Sequence, residues 1–281
     1  MRKYFFSICF ALFISTSLFS QNASDFRVRE ISEYFVSIIG YVGTSMEIVI
    51  PEEINGMSVV SIGEDVFNDR QISSVEIPDT IFGIGDEAFA RNRLTHIVIP
   101  DNVMRIGINA FVINHLTSVT IPNSVIFIGS GAFARNRLTH VIIPDSITMI
   151  ERRTFADNQL SSVVIPESIT TIGFGAFAEN QLTTITIPDS VTVIEAYAFF
   201  QNRLTSVVIP ESVALIEYGA FEGNPLTSIT IGAGVVLEFN RWSGCGILGG
   251  DTSFDQVYLE GGSIAGTFIR QNADCTNWTR K

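Results

Sequence analysis

A block of 22 residues repeats along the middle of the chain, and its apolar positions keep a constant phase. One copy, residues 160–181, reads LSSVVIPESITTIGFGAFAENQ. Shifting this block by 22 residues in either direction superimposes its proline, phenylalanine and asparagine on those of the neighbouring copies. A fixed period in the low twenties predicts a solenoid, in which each repeat forms one coil stacked on the next.

Within each repeat, alternating apolar and polar positions predict a short strand. In one copy Leu94, Ile97 and Ile99 fall on the inward face, while His96 and Val98 fall on the outward face, following the two-residue period of a strand. The proline that follows lacks a backbone N–H and ends the strand. A second inward pair and a short turn complete the coil. The predicted fold class is therefore mostly β with short helical turns, a solenoid with N- and C-terminal caps.

The repeated phenylalanines and asparagines predict two continuous columns inside this solenoid. Stacked coils place like positions about 4.8 Å apart, the spacing between strands. We expect the phenylalanines to be buried, and the asparagine amides to bond backbone groups that the bend leaves unpaired. The phenylalanines are Phe67, Phe89, Phe111, Phe133, Phe155, Phe177, Phe199 and Phe221. The asparagines are Asn92, Asn114, Asn136, Asn158, Asn180, Asn202 and Asn224.

The loss of the pattern at either end divides the chain into four parts. Residues 1–20 are predicted to be a signal peptide, and residues 21–71 an N-terminal cap with an irregular first repeat. The regular solenoid is predicted over 72–239. Residues 240–281 are predicted to form a C-terminal β cap, because the exposed end of a solenoid needs a cover. Residues 254–259 are interpreted as a short strand of that cap.

The first twenty residues follow the order of a secretory signal. A basic start, Met1-Arg2-Lys3, precedes an apolar run interrupted by serine and threonine, and Ser20 is a small residue before a cleavage point at Gln21. The run is too short for a membrane span, so no membrane insertion is expected after cleavage. We expect the mature chain to be secreted, periplasmic or on the cell surface.

Export leaves two cysteines, Cys245 and Cys275, both beyond the last repeat. A pair of cysteines in an oxidising compartment predicts a disulfide. Two free thiols are the alternative.

The charge balance excludes one class of partner. The formal net charge is −12, and only 16% of the residues are charged. Nucleic acids and anionic membranes attract clustered lysine and arginine, so neither is predicted to bind.

Catalytic and cofactor motifs have little support. Residues 83–88 match a loose dinucleotide fingerprint, but no crossover helix follows and their apolar positions belong to the repeat. The only histidines, His96, His115 and His140, have no acidic or cysteine partner at a matching phase. We therefore predict a protein that is not an enzyme and has no cofactor.

An acidic column follows the repeated proline and leaves two interpretations open. The residues are solvated turn residues, or they form a ladder bridged by calcium, which prefers several oxygen ligands. The column consists of Asp79, Asp101, Asp145, Glu167, Asp189 and Glu211.

The outward strand positions, here named the front face, are nearly uncharged and rich in β-branched residues. Solenoids commonly bind partners on the concave sheet, which this face is inferred to be, although strand propensity alone also explains its composition. The predicted ligand-facing residues are His96, Val98, Ser118, Thr120, His140, Ile142, Ser162, Val164, Thr184, Thr186, Ser206 and Val208.

Two further patches lie elsewhere on the repeats. A patchy basic column at the bend either meets an acidic partner or simply solvates the bend; it consists of Arg91, Arg93, Arg135, Arg137 and Arg203. A second strip could form a separate contact; it consists of Met104, Ile126, Phe127 and Met149.

The repeat pattern LxxVxIPxSIxxIGxGAFxxNx of residues 160–181 resembles the bacterial leucine-rich repeat of the BspA-like, or Treponema-type, family. The resemblance covers about residues 47–231. It implies a secreted or surface-exposed solenoid, and some members of the family bind host proteins or mediate adhesion. Val112-Ile113 and Arg152-Arg153-Thr154 depart from the pattern and leave the turn geometry there open.

Two functional hypotheses follow. The first is an exported, non-enzymatic binding scaffold whose front face meets an extracellular protein or glycan. The alternative is a structural or assembly component of the cell envelope that packs through its edges or the second strip. The sequence does not determine the oligomeric state.

Overall fold

Two columns of short parallel strands run along opposite sides of a solenoid. The structure, a computed structural model, describes residues 21–239, 246–249, 251–272 and 277–281. The predicted signal peptide and both cysteines of the predicted disulfide lie outside the described residues.

The first column contains the front face. Its strands are β3 (Glu47–Val49), β6 (Ser74–Glu76), β13 (Ser206–Val208) and β15 (Ser228–Ile231). Single parallel bridges replace full strands in the middle coils, from Val98 to Thr120, from Thr120 to Ile142 and from Ile142 to Val164. The predicted strand is therefore confirmed in position and orientation but is narrower than expected.

The second column is more regular and was predicted only as an inward pair. Its strands within the repeats are β7 (Gly83–Ile84), β8 (Arg105–Ile106), β9 (Phe127–Ile128), β10 (Met149–Ile150), β11 (Thr171–Ile172), β12 (Val193–Ile194), β14 (Leu215–Ile216) and β16 (Val236–Leu237). They pair in parallel within two sheets, one ending at β9 and the other beginning at β10. The backbone N–H of Gly107 donates to the Ile84 oxygen at 2.8 Å. Comparable bonds on the first column, such as Thr117 N–H to the Thr95 oxygen, measure 3.2 Å.

The phenylalanine column is confirmed. All eight rings from Phe67 to Phe221 are fully buried. Consecutive rings lie 5.1–5.9 Å apart, centroid to centroid, and their planes differ by only 4–11°. The turn that carries each ring also bonds to the next coil, since the Phe89 N–H donates to the Ala110 oxygen at 2.8 Å. The hydrogen bonds between coils therefore also fix the distance between neighbouring rings.

The asparagine side chains make the hydrogen bonds to backbone groups at the bend that their position in the repeat predicts. The Asn136 amide oxygen accepts from the Leu116 N–H at 3.0 Å. Its amide nitrogen donates to the Phe111 oxygen at 2.9 Å and to the Phe133 oxygen at 3.1 Å. Six members of the column, from Asn92 to Asn202, are buried. Each therefore ties its own coil to the preceding one while satisfying backbone groups at the bend.

The N-terminal cap continues the second column with longer strands. A short 3-10 turn (Ala23–Asp25) precedes β1 (Phe26–Glu30), which pairs antiparallel with β2 (Phe35–Tyr41). Strand β2 then pairs in parallel with β5 (Met57–Ile62). Strand β4 (Glu53–Ile54) and β5 form a hairpin. Asn55 and Gly56, at its tip, both have positive φ, as the predicted tight turn requires.

The C-terminal cap corrects one prediction. Residues 254–259, interpreted as a strand, lie within helix α1 (Ser253–Glu260). Phe254 and Tyr258 are both buried, and their four-residue spacing places them on one helical face. Strands β17 (Gly266–Ile269) and β18 (Thr279–Arg280) follow, and β17 pairs antiparallel with β15. Within its described residues the cap thus contains a helix and two strands rather than strands alone, and β17 pairs with the last strand of the first column.

We expect Asn136→Ala to lower the free energy of unfolding by about 3–5 kcal/mol, because four hydrogen bonds are lost and buried backbone groups are left unpaired. Chemical denaturation of the variant measures this loss. Asn123→Ala, at an exposed turn position, is the matched control and should change stability by less than about 0.5 kcal/mol. Equal effects of the two changes would contradict the structural role of the asparagine column.

A second prediction concerns Asp255, whose carboxyl is fully buried beside the Ile247 N–H. Burial raises its pKa to about 7; the Ile247 bond opposes the shift, and Asp251 reinforces it. The folded state therefore binds the proton more tightly than the unfolded state, whose pKa is near 4. The stabilisation is complete below about pH 4 and is lost as the pH rises to about 7.

Thermal unfolding at several pH values tests this dependence. The wild-type protein should lose roughly 4 kcal/mol or less of stability between pH 4 and 7 from this group. Asp255→Asn, which is uncharged throughout, should remove most of that loss. A decline of the same size in the variant would assign it to other groups.

Candidate binding surfaces

The front face presents its residues to solvent. All twelve predicted ligand-facing residues are exposed except Ser118, which is half-buried. Their neighbours along the strand point inward: Ile97, for example, is 5% exposed while Val98 is 75% exposed. The predicted orientation is therefore confirmed, and the role in binding stays a prediction.

A strip of aliphatic side chains stands out on this face. Val98, Ile142, Val164 and Val208 are 75%, 68%, 79% and 61% exposed. Thr120 and Thr186 occupy the same position in intervening coils. Because the inward side chains already fill the core, packing within the solenoid does not account for these outward β-branched residues. A row of exposed aliphatic side chains of this kind is a candidate contact surface.

The front face also contains a depression. In the described part of the chain, the bridges of the first column stop at Val164 and pairing resumes at β13. A depression of about 740 Å³ lies there, lined by Val164, Thr186 and two prolines, with Asp145 and Glu167 also contributing. We name it the Val164 depression. It combines an aliphatic wall with two carboxylates, which suits a side chain with an apolar stem and a cationic end.

The acidic column does not gather into a cation site. Its six members are all exposed. Over the described ranges, no group of three or more histidine, cysteine, aspartate or glutamate side chains could hold a metal ion. This geometry favours solvated turn residues and gives the calcium alternative no support.

The two histidines of the front face contact threonine hydroxyls. His96 and His140 are exposed, and the contacts of their Nδ1 atoms are with Thr95 and Thr139 Oγ1, each at 3.3 Å. The arrangement suits hydrogen bonding to a partner.

The second strip is exposed only in part. Met104 and Ile126 are 45% and 54% exposed, whereas Phe127 and Met149 are half-buried. The guanidinium of Arg105 lies 4.6 Å from the centre of the Phe127 ring and covers it. Phe82, which sequence reasoning missed, precedes Met104 in the same column and is 49% exposed.

The repeats match a known family over most of their length. Six copies of the BspA type leucine-rich repeat region align with residues 46–160 and 126–247. The chain belongs to the BspA-type leucine-rich repeat proteins. This confirms the resemblance seen in the repeat pattern, and it is consistent with an interaction scaffold.

Two solved structures of bacterial proteins share this fold. A leucine-rich cell surface protein from Faecalibacterium prausnitzii is 28% identical, with a TM-score of 0.51 over 81% of this chain and 60% of its own. A leucine-rich repeat protein from Bacteroides ovatus is 22% identical, with a TM-score of 0.58 over 78% of this chain and 66% of its own. The chain thus spans less than two thirds of the length of each. No curated protein sequence matches it.

One further observation concerns membranes. The part of this BspA-type chain that the structure describes contains no helix with the length and apolar character needed to cross a bilayer.

Proposed function

We propose that this protein is an exported, non-enzymatic binding scaffold whose front face contacts an extracellular protein. The observation that carries the proposal is the row of Val98, Ile142, Val164 and Val208, each more than 60% exposed on a single face. Burial of these side chains by a partner would release apolar surface from water at about 25 cal/mol per Å².

The Val164 depression supplies the polar part of the proposed interface. A lysine or arginine side chain of the partner would lay its stem against Val164 and direct its charge toward Asp145 and Glu167, which line the same depression. Cationic side chains cover apolar surface in this manner while their ends stay hydrated. The chain's net charge of −12 also favours a cationic partner surface.

The composition of the front face favours a protein over a glycan. The twelve ligand-facing residues include no phenylalanine, tyrosine or tryptophan ring on which a sugar could stack. Aliphatic and hydroxyl side chains instead match a mixed protein surface, where shape and apolar area determine the contact. A glycan remains the alternative occupant.

Export is part of the same proposal and rests on two supports. The order of basic, apolar and small residues in positions 1–20 is typical of a secretory signal. The Faecalibacterium prausnitzii relative is described as a leucine-rich cell surface protein. Adhesion between the bacterium and its surroundings is the form of binding that this location favours.

The test is a double variant of the front face. The mature chain is first used to capture a partner from extracellular material, and the purified partner is then titrated against His140→Lys/Val164→Lys. We expect at least a tenfold loss of affinity, about 1.4 kcal/mol, because both changes place positive charge on the apolar strip, where it repels the partner's cationic side chain. Thr148→Lys/Ala214→Lys, at exposed positions on the second column, adds the same charge and is the matched control.

A folding control and the affinities of the two variants decide whether the front face is the contact surface. Circular dichroism should show both variants folded, because all four positions are exposed. Loss of binding in the front-face variant alone supports the proposal. Unchanged binding in that variant, or an equal loss in the control, removes the front face as the contact surface.

A further inference from the structure

The turn that carries each buried phenylalanine has its own outer surface, here named the turn face. It comprises residues 86–91 of one coil and the equivalents in the others: 108–113, 130–135, 152–157, 174–179, 196–201 and 218–223. Repetition provides an internal comparison along this surface. A residue that departs from its equivalents in neighbouring coils is not required for closing the coil.

Two segments that depart from the repeat, Val112-Ile113 and Arg152-Arg153, line the same depression on this face. A depression of about 510 Å³ has an apolar floor and a rim of four arginines. The floor contains Ile108, Val112, Ile113 and Ala134. The rim contains Arg91, Arg135, Arg152 and Arg153. We name it the arginine depression.

Arg152 and Arg153, in the coil that carries Phe155, have no arginine at the equivalent positions of the preceding coil. Arg152-Arg153 occupies the place of Ser130-Gly131 in the preceding coil. Both coils close with the same hydrogen bond from the turn to the next coil, from the N–H of Gly131 to Arg152 O at 2.8 Å and from the N–H of Arg153 to Phe174 O at 2.9 Å. The turn therefore forms equally well without either guanidinium.

The backbone conformation of the depression belongs to the repeat. Arg153 has φ 53°, and Glu87 and Asn109 have 50° and 54° at the equivalent position. Ile113 has φ 55°, the value that Arg91 and Arg135 also have, but it is β-branched and 38% exposed. The departure from the repeat here is therefore the choice of side chain, because the turn itself is unchanged.

The guanidiniums keep donors available for a ligand. The Arg135–Asp157 and Arg153–Glu179 pairs measure 3.6 and 3.7 Å and lie at exposed positions, where ion pairs are weak. Arg91 is held more closely, by Glu87 at 3.0 Å. Each guanidinium has five N–H donors, so a single carboxylate neighbour leaves most of them unused.

Arg152 is oriented by an aromatic ring instead of a carboxylate. Its guanidinium carbon lies 4.3 Å from the centre of the Phe174 ring. Phe174 in turn opens a neighbouring aromatic cleft of about 350 Å³, which also contains Tyr197, Phe200 and Arg153. Tyr197 again has positive φ, at 58°, where the flanking coils have glycine. The two depressions thus share Arg153 and form one surface.

We propose that the turn face binds an acidic peptide segment of a partner protein. Carboxylates of the segment bond Arg135, Arg152 and Arg153, and its apolar side chains occupy the aliphatic floor and the aromatic cleft. Four arginines line one depression in a chain of net charge −12, and they supply the charge complementarity. Arginine and tyrosine are also the residues that dominate protein–protein contacts.

The shape of the surface argues against an anionic polysaccharide. The floor of the arginine depression is aliphatic and would be left bare by a sulfated sugar. In the aromatic cleft, Tyr197 meets Phe174 and Phe200 at 74° and 83°, so the rings share no flat platform for a sugar. An apolar side chain fits between such rings.

The test uses a fluorescein-labelled nonapeptide, three repeats of Glu-Glu-Leu, and fluorescence anisotropy with the mature chain. We expect saturable binding that weakens with salt, and at least tenfold weaker binding of the same peptide with glutamine in place of glutamate. Arg152→Ser/Arg153→Gly restores the residues of the preceding coil and should weaken binding at least tenfold. Its thermal midpoint should not fall, because glycine suits the positive φ.

The matched control is Arg93→Gln/Arg137→Gln, which removes two charges at exposed positions that do not line the depression. It should bind within twofold of wild type, as should His140→Lys/Val164→Lys, because the front face is a different surface. If Arg152→Ser/Arg153→Gly does not fold, Arg135→Gln/Arg152→Gln gives the same test.

Several results would overturn the inference. These are no binding of the glutamate peptide, equal binding of the glutamine peptide, and equal losses in the arginine and control variants. Saturable binding of a heparin oligosaccharide with no binding of the peptide would assign the surface to a polysaccharide instead.

Discussion

The register between successive coils is the constraint on which the rest of the structure depends. Backbone bonds such as Gly107 N–H to Ile84 O and Phe89 N–H to Ala110 O, both 2.8 Å, join each coil to its neighbour on two sides. At the bend, the Asn136 side chain adds hydrogen bonds to the backbone of the preceding coil. Since a strand reverses its faces when it slips by one residue, this register keeps the repeated inward leucine, isoleucine and phenylalanine positions inside.

A solenoid held in this way separates folding from recognition. Positions that point inward are nearly identical from coil to coil, because each must fit the coil above and the coil below. Positions that point outward meet no such requirement and are free to vary. The exposed row around Val164 and the arginines around Arg153 both lie at outward positions, on different sides of the coil. One scaffold can therefore carry two surfaces of different chemistry.

Sequence reasoning succeeded wherever a residue recurs. The burial of Phe133 and the bonds of Asn136 could be predicted because eight and seven copies, respectively, keep the same phase. Helix α1 has no second copy, and its β-prone residues concealed the four-residue spacing of Phe254 and Tyr258. The arginine depression could be predicted only in part, because Arg91 and Arg135 belong to the basic column at the bend whereas Arg152 and Arg153 do not. It brings Ile113 beside Arg153, far apart in the sequence, and only their departure from the repeat signalled it.

Removal of one complete coil tests the central claim most directly. Deletion of residues 160–181 joins Gln159 to Leu182, which restores the register, whereas deletion of residues 160–178 leaves three residues out of phase. Circular dichroism with thermal unfolding compares the two chains. Coil stacking predicts that the 22-residue deletion keeps the β signal and one cooperative transition, while the shorter deletion loses both. Loss of folding in both, or equal stability of both, would contradict it.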